Sequence, residues 1–152
     1  MTNDDIARRV LDANSYAVLA TADADGVPWG SPVWFAHEEP REIFWVSAPD
    51  ARHSQNIAIR PLIGMVVFDS TVRPGNGQAV YMTATAELVT DPATIERGLA
   101  VFNRASVAQG IGEWGPERVT GEARLRLYRA SVLEHSILDP DSPYDVRVDV
   151  SP

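Results

Sequence analysis

Residues Tyr16-Ala-Val-Leu-Ala-Thr21 form an apolar run that meets a turn signal at Asp23-Ala-Asp25-Gly26. A second extended run, Val27 to Ala36, follows, and then a polar break from His37 to Glu42. A third run, Ile43-Phe-Trp-Val-Ser47, leads into a short helical piece carrying Arg52-His53-Ser54-Gln55-Asn56. That piece stops at Arg60-Pro61, and a fourth apolar run, Leu62 to Phe68, begins at once. Short runs of this kind, bounded by turn residues, predict strands. Arg52 and His53 fall where a strand feeds a helix. Amides at a helix start, joined by a guanidinium, make a seat for a phosphate group. With the preceding strands as a wall, the stretch points to a bound phosphorylated cofactor.

Outward from this stretch, residues 3–13 predict an amphipathic helix, capped by Asn3, Asp4 and Asp5 and striped by Ile6, Val10 and Leu11. Pro28 and Pro32 mark the second strand as an edge, as bulged, or as facing a ligand, because proline cannot donate to a ladder. Val80 to Leu88 alternates, with Val80, Met82, Ala84, Ala86 and Leu88 on one face. Asp91-Pro92 opens a helix with Ile95, Leu99 and Phe102 at helical spacing. Gln109 to Glu117 holds three glycines and a proline around Trp114, which predicts a mobile loop with an aromatic tip. Alternation returns from Glu122 and predicts a long strand towards His135. In the tail, Tyr144, Val146, Val148 and Val150 alternate with acids and an arginine, as in a late strand that pairs with another subunit.

Composition excludes several chemistries. The chain has 152 residues, which suits one domain. It has no cysteine, so no disulfide, thiol nucleophile or thiolate metal site is available. It has no lysine either; all 13 cationic residues are arginine. That excludes a lysine Schiff base and a Walker-type phosphate loop. The net charge of −8 makes nucleic acid and anionic lipid poor partners. No apolar run approaches the roughly 18–20 residues of a membrane span, and no signal peptide opens the chain, so a cytoplasmic protein is expected. An anionic cofactor would be held by local positive charge against the global field, which singles out Arg52.

Four features carry a family resemblance: Asp25-Gly26-Val-Pro28 opening the second strand, Ser31-Pro-Val-Trp-Phe-Ala36 along it, Ala51-Arg52-His53 after the third, and Arg60-Pro61 before the fourth. Their order and spacing resemble the flavin-binding split-barrel family related to pyridoxamine 5′-phosphate oxidase, over roughly residues 5–135. The resemblance implies a mainly β fold with short helices: a six- to seven-stranded antiparallel split β-barrel over residues 1–138, followed by a tail over 139–152 whose alternation suits a strand at a dimer interface. It also implies a homodimer with FMN at that interface.

The resemblance implies cofactor contacts at Ser31, Val33, Trp34, Phe35, Val46, Ser47, Arg52, His53, Gln78 and Trp114. His53 stands where relatives usually carry lysine or arginine, and Ser31 where they often carry arginine, so one expected charge is missing. Gln78 is out of step with a family glutamine by one residue. The ordinary reading of Val33 and Phe35 is barrel core; that of Trp114 is a packing anchor; that of His37 is an exposed turn residue. His135 is a weak haem or metal candidate among three scattered histidines. A C-terminal tryptophan and an Arg-x-His substrate motif, carried by the true pyridoxamine phosphate oxidases, are absent. The expectation is an FMN-binding oxidoreductase acting on a small molecule, with no protein group required as the catalyst. The alternatives are a deazaflavin-dependent reductase, a non-catalytic flavin-binding module and, more remotely, a haem-binding barrel.

Overall fold

The computed structural model describes residues 1–152. In chain order the elements are α1 (Asn3–Ala13), β1 (Tyr16–Ala22), β2 (Pro28–His37), β3 (Glu42–Ser47), α2 (Arg52–Ile59), β4 (Leu62–Phe68), β5 (Ala79–Leu88), α3 (Pro92–Ala108), β6 (Arg126–Leu138) and β7 (Arg147–Val150), with one 3-10 turn at Pro116–Arg118. The strands form one antiparallel sheet in the order β3-β2-β1-β4-β5-β6-β7. β3 also pairs with the first half of β6, from Glu42↔Ser131 to Ser47↔Arg126. That pairing closes six strands into a barrel, and β7 extends the far half of β6. The fold is therefore the mainly β split barrel that the resemblance implies. No helix is long and apolar enough to cross a membrane.

Strand alternation divides the side chains between two cores. Leu19, Val33, Phe35, Ile43, Trp45, Met65, Val67 and Met82 fill the barrel, and Ala7 and Leu11 of α1 pack against them. Residues of the opposite face, Ala36, Phe44 and Leu127, lie under α3 with Ile95, Leu99 and Phe102. Gly98 sets how closely α3 approaches: a Cβ there would stand 2.7 Å from the Phe44 ring and 2.8 Å from Leu127. Thr2, rather than Asn3, caps α1, through a capping box in which Thr2 Oγ accepts from the Asp5 amide and Asp5 accepts from the Thr2 amide. In β2, the pairing to β3 covers only Phe35 to His37, so Pro28 and Pro32 lie where the strand has one neighbour, β1. The edge reading of those prolines is the observed one.

Three expectations need correction. The last long strand starts at Arg126, not at Glu122. Gly121 has φ of +59°, and the Arg126 guanidinium donates to the carbonyls of Gly121, Ala123 and Leu125, which folds the alternating residues 122–125 into a turn. The late strand β7 pairs with β6 of its own chain, from His135↔Val150 to Leu138↔Arg147, and Val150 enters the barrel core. His37 is not an exposed turn residue. It ends β2, stacks on Phe35 at 5.9 Å, and places Nε2 3.3 Å from Asp12.

Candidate cofactor site at the start of the second helix

α2 covers one end of the barrel with an unusual interface. Seven polar side chains in the chain are buried, and five of them, Thr21, Ser47, His53, Ser54 and Asn56, lie on or directly beneath α2. Only Ile57 gives the helix a buried large apolar side chain. Asn56 donates to Thr21 Oγ at 3.0 Å, and Thr21 Oγ donates to the Trp29 carbonyl at 3.3 Å. At the C-terminal end, Arg60 donates to the carbonyls of Asp23 and Ala24 at 2.8 and 3.1 Å, which ties the helix to the β1–β2 turn.

The N-terminal end is open by comparison. α1 and α3 begin with side-chain caps, from Thr2 and Asp91, whereas the α2 N-cap is Ala51 and offers none. The first-turn amides of α2 therefore have no side-chain acceptor. Ser54, 3% exposed, keeps its Oγ without a partner in the same turn. Beside it, His53 Nδ1 lies 3.1 Å from Ser31 Oγ, and His53 Nε2 lies 2.9 Å from Ser47 Oγ. Burial holds the His53 imidazole below its ordinary pKa, so it is neutral near pH 7. Arg52, the first helical residue, is exposed, and its guanidinium sits 4.3 Å from the centroid of the Trp29 indole. Donors without acceptors, one exposed guanidinium and two hydroxyls fit a phosphate group.

Of the ten sequence-predicted contacts, the fold brings Ser31, Ser47, Arg52 and His53 together here. It does not bring the others. Val33 and Phe35 fill the barrel, and Trp34 and Val46 pack on the α3 side, Trp34 edge-on to Phe102 at 4.9 Å. The Gln78 amide is committed to another strand: it donates to the Leu138 carbonyl at 2.8 Å and accepts from the Leu138 amide at 2.8 Å. Trp114 is not a loose aromatic tip. Its ring meets Phe102 edge-on at 5.7 Å, Arg118 covers it at 3.4 Å, and Asn103 bonds its backbone N–H and C=O. His135 directs Nε2 to the Pro40 carbonyl at 2.9 Å, and no cluster of three or more His, Asp or Glu side chains is arranged to hold a metal. Ser54, Asn56, Thr21 and Trp29 were not anticipated. A signal for them existed: a helix with one buried apolar anchor and four consecutive polar residues, His53 to Asn56, is too polar to dock by the hydrophobic effect alone.

A second region lies on the outside of the barrel. The outer face of β1, β4 and β5 carries Tyr16, Leu62 and Phe68, all exposed, around half-buried Val18, Val66 and Tyr81. Small residues at Ala20 and Gly64 pair across β1 and β4 and leave a hollow in this face. Clefts of about 670 and 590 Å³ open along it.

Comparison with known proteins places this architecture. The chain matches the family described as pyridoxamine 5′-phosphate oxidase over residues 4–132. A comparison with curated proteins found no match. Among solved structures, HutZ, the heme storage protein from Vibrio cholerae, is 18% identical with a TM-score of 0.67, covering 88% of this chain and 92% of its own. An FAD-binding protein from Mesorhizobium loti is 19% identical with a TM-score of 0.61, covering 86% and 87%. An F420 reductase is 21% identical with a TM-score of 0.62, covering 86% and 95%. These likenesses establish a shared fold, and the family match runs through every element from α1 into β6: the chain belongs to the pyridoxamine 5′-phosphate oxidase family.

Proposed function

We propose that the protein is a flavin-dependent oxidoreductase that binds FMN as a homodimer. The observation that carries this reading is the uncapped start of α2, with its unpartnered Ser54 hydroxyl and the Arg52 guanidinium beside it. Arg52, the first-turn amides and the Ser31 hydroxyl would hold the phosphate. The flavin, when bound, supplies hydride or electron transfer at its central ring. The chain's own part is to orient the ring, exclude water and admit a small substrate. The exposed side chains Tyr16, Leu62 and Phe68 on the outer face of β1 and β4 support a second subunit packing there, since exposed apolar groups that cluster mark interaction surfaces.

FMN is preferred to a deazaflavin on charge. Arg60, at the C-terminal cap of α2, already serves the β1–β2 turn, so Arg52 stands without a second free guanidinium from this helix or its cap. A longer, more acidic tail would ask for more cations. The FAD-binding and F420 reductase names among the structural relatives keep the wider flavin class in view, and the heme storage protein gives the haem reading its support.

The test is direct. Absorbance of the purified protein, followed by parallel titration with FMN, riboflavin, a deazaflavin and haem, is expected to show tightest binding of FMN. A colourless protein that binds none of the flavins rejects the reading. Tight FMN binding without turnover for any reductant and acceptor pair makes it a flavin-binding module instead. A Soret band lost in His135→Ala makes it a haem protein. Light scattering checks the dimer, and Ala20→Glu, in the middle of the outer face, is expected to give monomers.

A further inference from the structure

The imidazole of His53 lies between two hydroxyls, 3.1 Å from Ser31 Oγ and 2.9 Å from Ser47 Oγ. A neutral imidazole has one N–H and one lone pair. One serine must therefore donate its hydroxyl hydrogen into the ring while the other accepts. An imidazolium has two N–H groups. Both serines then accept from the ring, and both hydroxyl hydrogens are released. In the neutral ring Ser31, at the edge of the phosphate seat, can offer a donor outward only in the tautomer that carries the hydrogen on Nδ1; in the imidazolium it can always do so.

We propose that His53 takes up one proton from solvent when a phosphate group seats at the start of α2, adding a second positive charge behind Arg52 and fixing the Ser31 hydroxyl as a donor to the phosphate. This rests on the FMN reading above. His53 does not touch the phosphate; it is a positioning residue that acts through Ser31.

The surroundings allow it. The charged groups on the helix and its entry turn are Asp50, Arg52 and Arg60. The β1–β2 turn brings Asp23, whose carboxylate accepts the Asp25 and Val27 amides at 2.9 Å each. β5 brings Glu87, which is paired with Arg129. β2 and β3 face the ring with the neutral residues Ser31 and Ser47. No carboxylate bonds the imidazole, and burial is the sole cause of its depressed basicity. A phosphate dianion would be the first strong negative charge close to the ring, and such a charge favours the imidazolium. The seat then reaches balance with a dianion although Ser31 and His53 stand where fixed cations were expected.

The chain has three histidines, so their ring signals can be followed individually by NMR. The probes are FMN and riboflavin, and the His53→Gln variant assigns the signal. The His53 midpoint is expected to rise on addition of FMN and to stay in place with riboflavin. Calorimetry at about pH 7.5, above the phosphate's own second pKa of about 6, is run in two buffers of different ionisation heat. Uptake approaching one proton is expected with FMN, none with riboflavin, and little in His53→Gln. The FMN dissociation constant is expected to rise by up to about tenfold per pH unit between the free and bound midpoints of His53. FMN binding with an unmoved His53 signal, or with equal proton uptake in His53→Gln, overturns the inference alone. Failure of both flavins to bind overturns the FMN reading and this inference with it. Should His53→Gln not fold, the wild-type ring titration decides, its signal assigned by proximity to Ser31 and Ser47.

Discussion

α2 and α3 both lie against the barrel, and they dock by opposite means. α3 has 17 residues, a side-chain cap at Asp91 and an apolar face of Ile95, Leu99, Val101 and Phe102 that closes over Ala36, Phe44 and Leu127. α2 has eight residues, no side-chain cap, and a buried face of His53, Ser54, Asn56 and Ile57. An apolar face gains about 25 cal/mol per Å² removed from water, whereas a buried hydrogen bond contributes only about 1 kcal/mol net. A helix selected for stability alone would resemble α3. The polar α2 docks through hydrogen bonds to Ser31, Ser47 and Thr21 and leaves its first-turn amides without a side-chain cap.

The contrast can be broken at either helix. The largest effect is expected from Phe102→Ala, which empties the contact with Trp34 and Trp114. It should cost about 3–5 kcal/mol in denaturant unfolding and leave FMN affinity of the folded fraction unchanged. Next, Arg52→Ala should weaken FMN by about 1.5–3 kcal/mol, the scale of a charge-assisted contact. Riboflavin, without a phosphate, should lose much less in the same titration. Equal losses for both ligands would move the phosphate elsewhere. Ser54→Ala should separate the two roles of α2. Removing a buried hydroxyl that has no partner is expected to stabilise the free protein by about 1 kcal/mol while weakening FMN. A stability loss would mean the hydroxyl already serves the fold.

The smallest effect concerns acid. Burial, the leading cause in each case, lowers the pKa of His37, His53 and His135 from an ordinary 6.5. The unfolded chain therefore binds more protons than the folded one as pH falls below that value. Their contribution is complete above about pH 6.5 and is lost as pH drops through the depressed folded values. α2 carries one of these histidines and α3 carries none. Hydrogen exchange, corrected for its intrinsic pH dependence, should show α2 losing protection before α3 as the solution is acidified from neutrality. Simultaneous loss would remove the distinction.

The succession of the first four strands and the place of α2 were legible because they depend on local signals. Asp23 to Gly26 turns the chain, and Arg60-Pro61 stops a helix, whatever the rest does. The proximity of Ser31, Ser47, Arg52 and His53 was legible in part for the same reason, since Ser47 ends β3 and Arg52 and His53 begin α2. What failed depended on distant partners. Gln78 spends its amide on Leu138, 60 residues away in sequence. Trp114 is pinned by Asn103 and Arg118, and the alternation of residues 122–125 is overruled by one arginine that caps three carbonyls. His37 pairs with an aspartate on α1, which lies one strand earlier in the chain. Periodicity carries no information about such contacts. Ser54 was hidden for another reason: its significance lies in a bond it does not make.

The pairing of β3 with β6, where Trp45 stacks on Tyr128 at 5.9 Å, joins segments that are remote along the chain. It has a consequence for how the molecule is made. Until Arg126 and the residues after it emerge during synthesis, β3 and β5 are two bare edges of an open sheet, each able to capture a neighbouring nascent chain. Closure by such a remote strand carries a large loop entropy and makes folding slow. Crowded polysomes, rather than the finished protein, are where aggregation of this chain should begin.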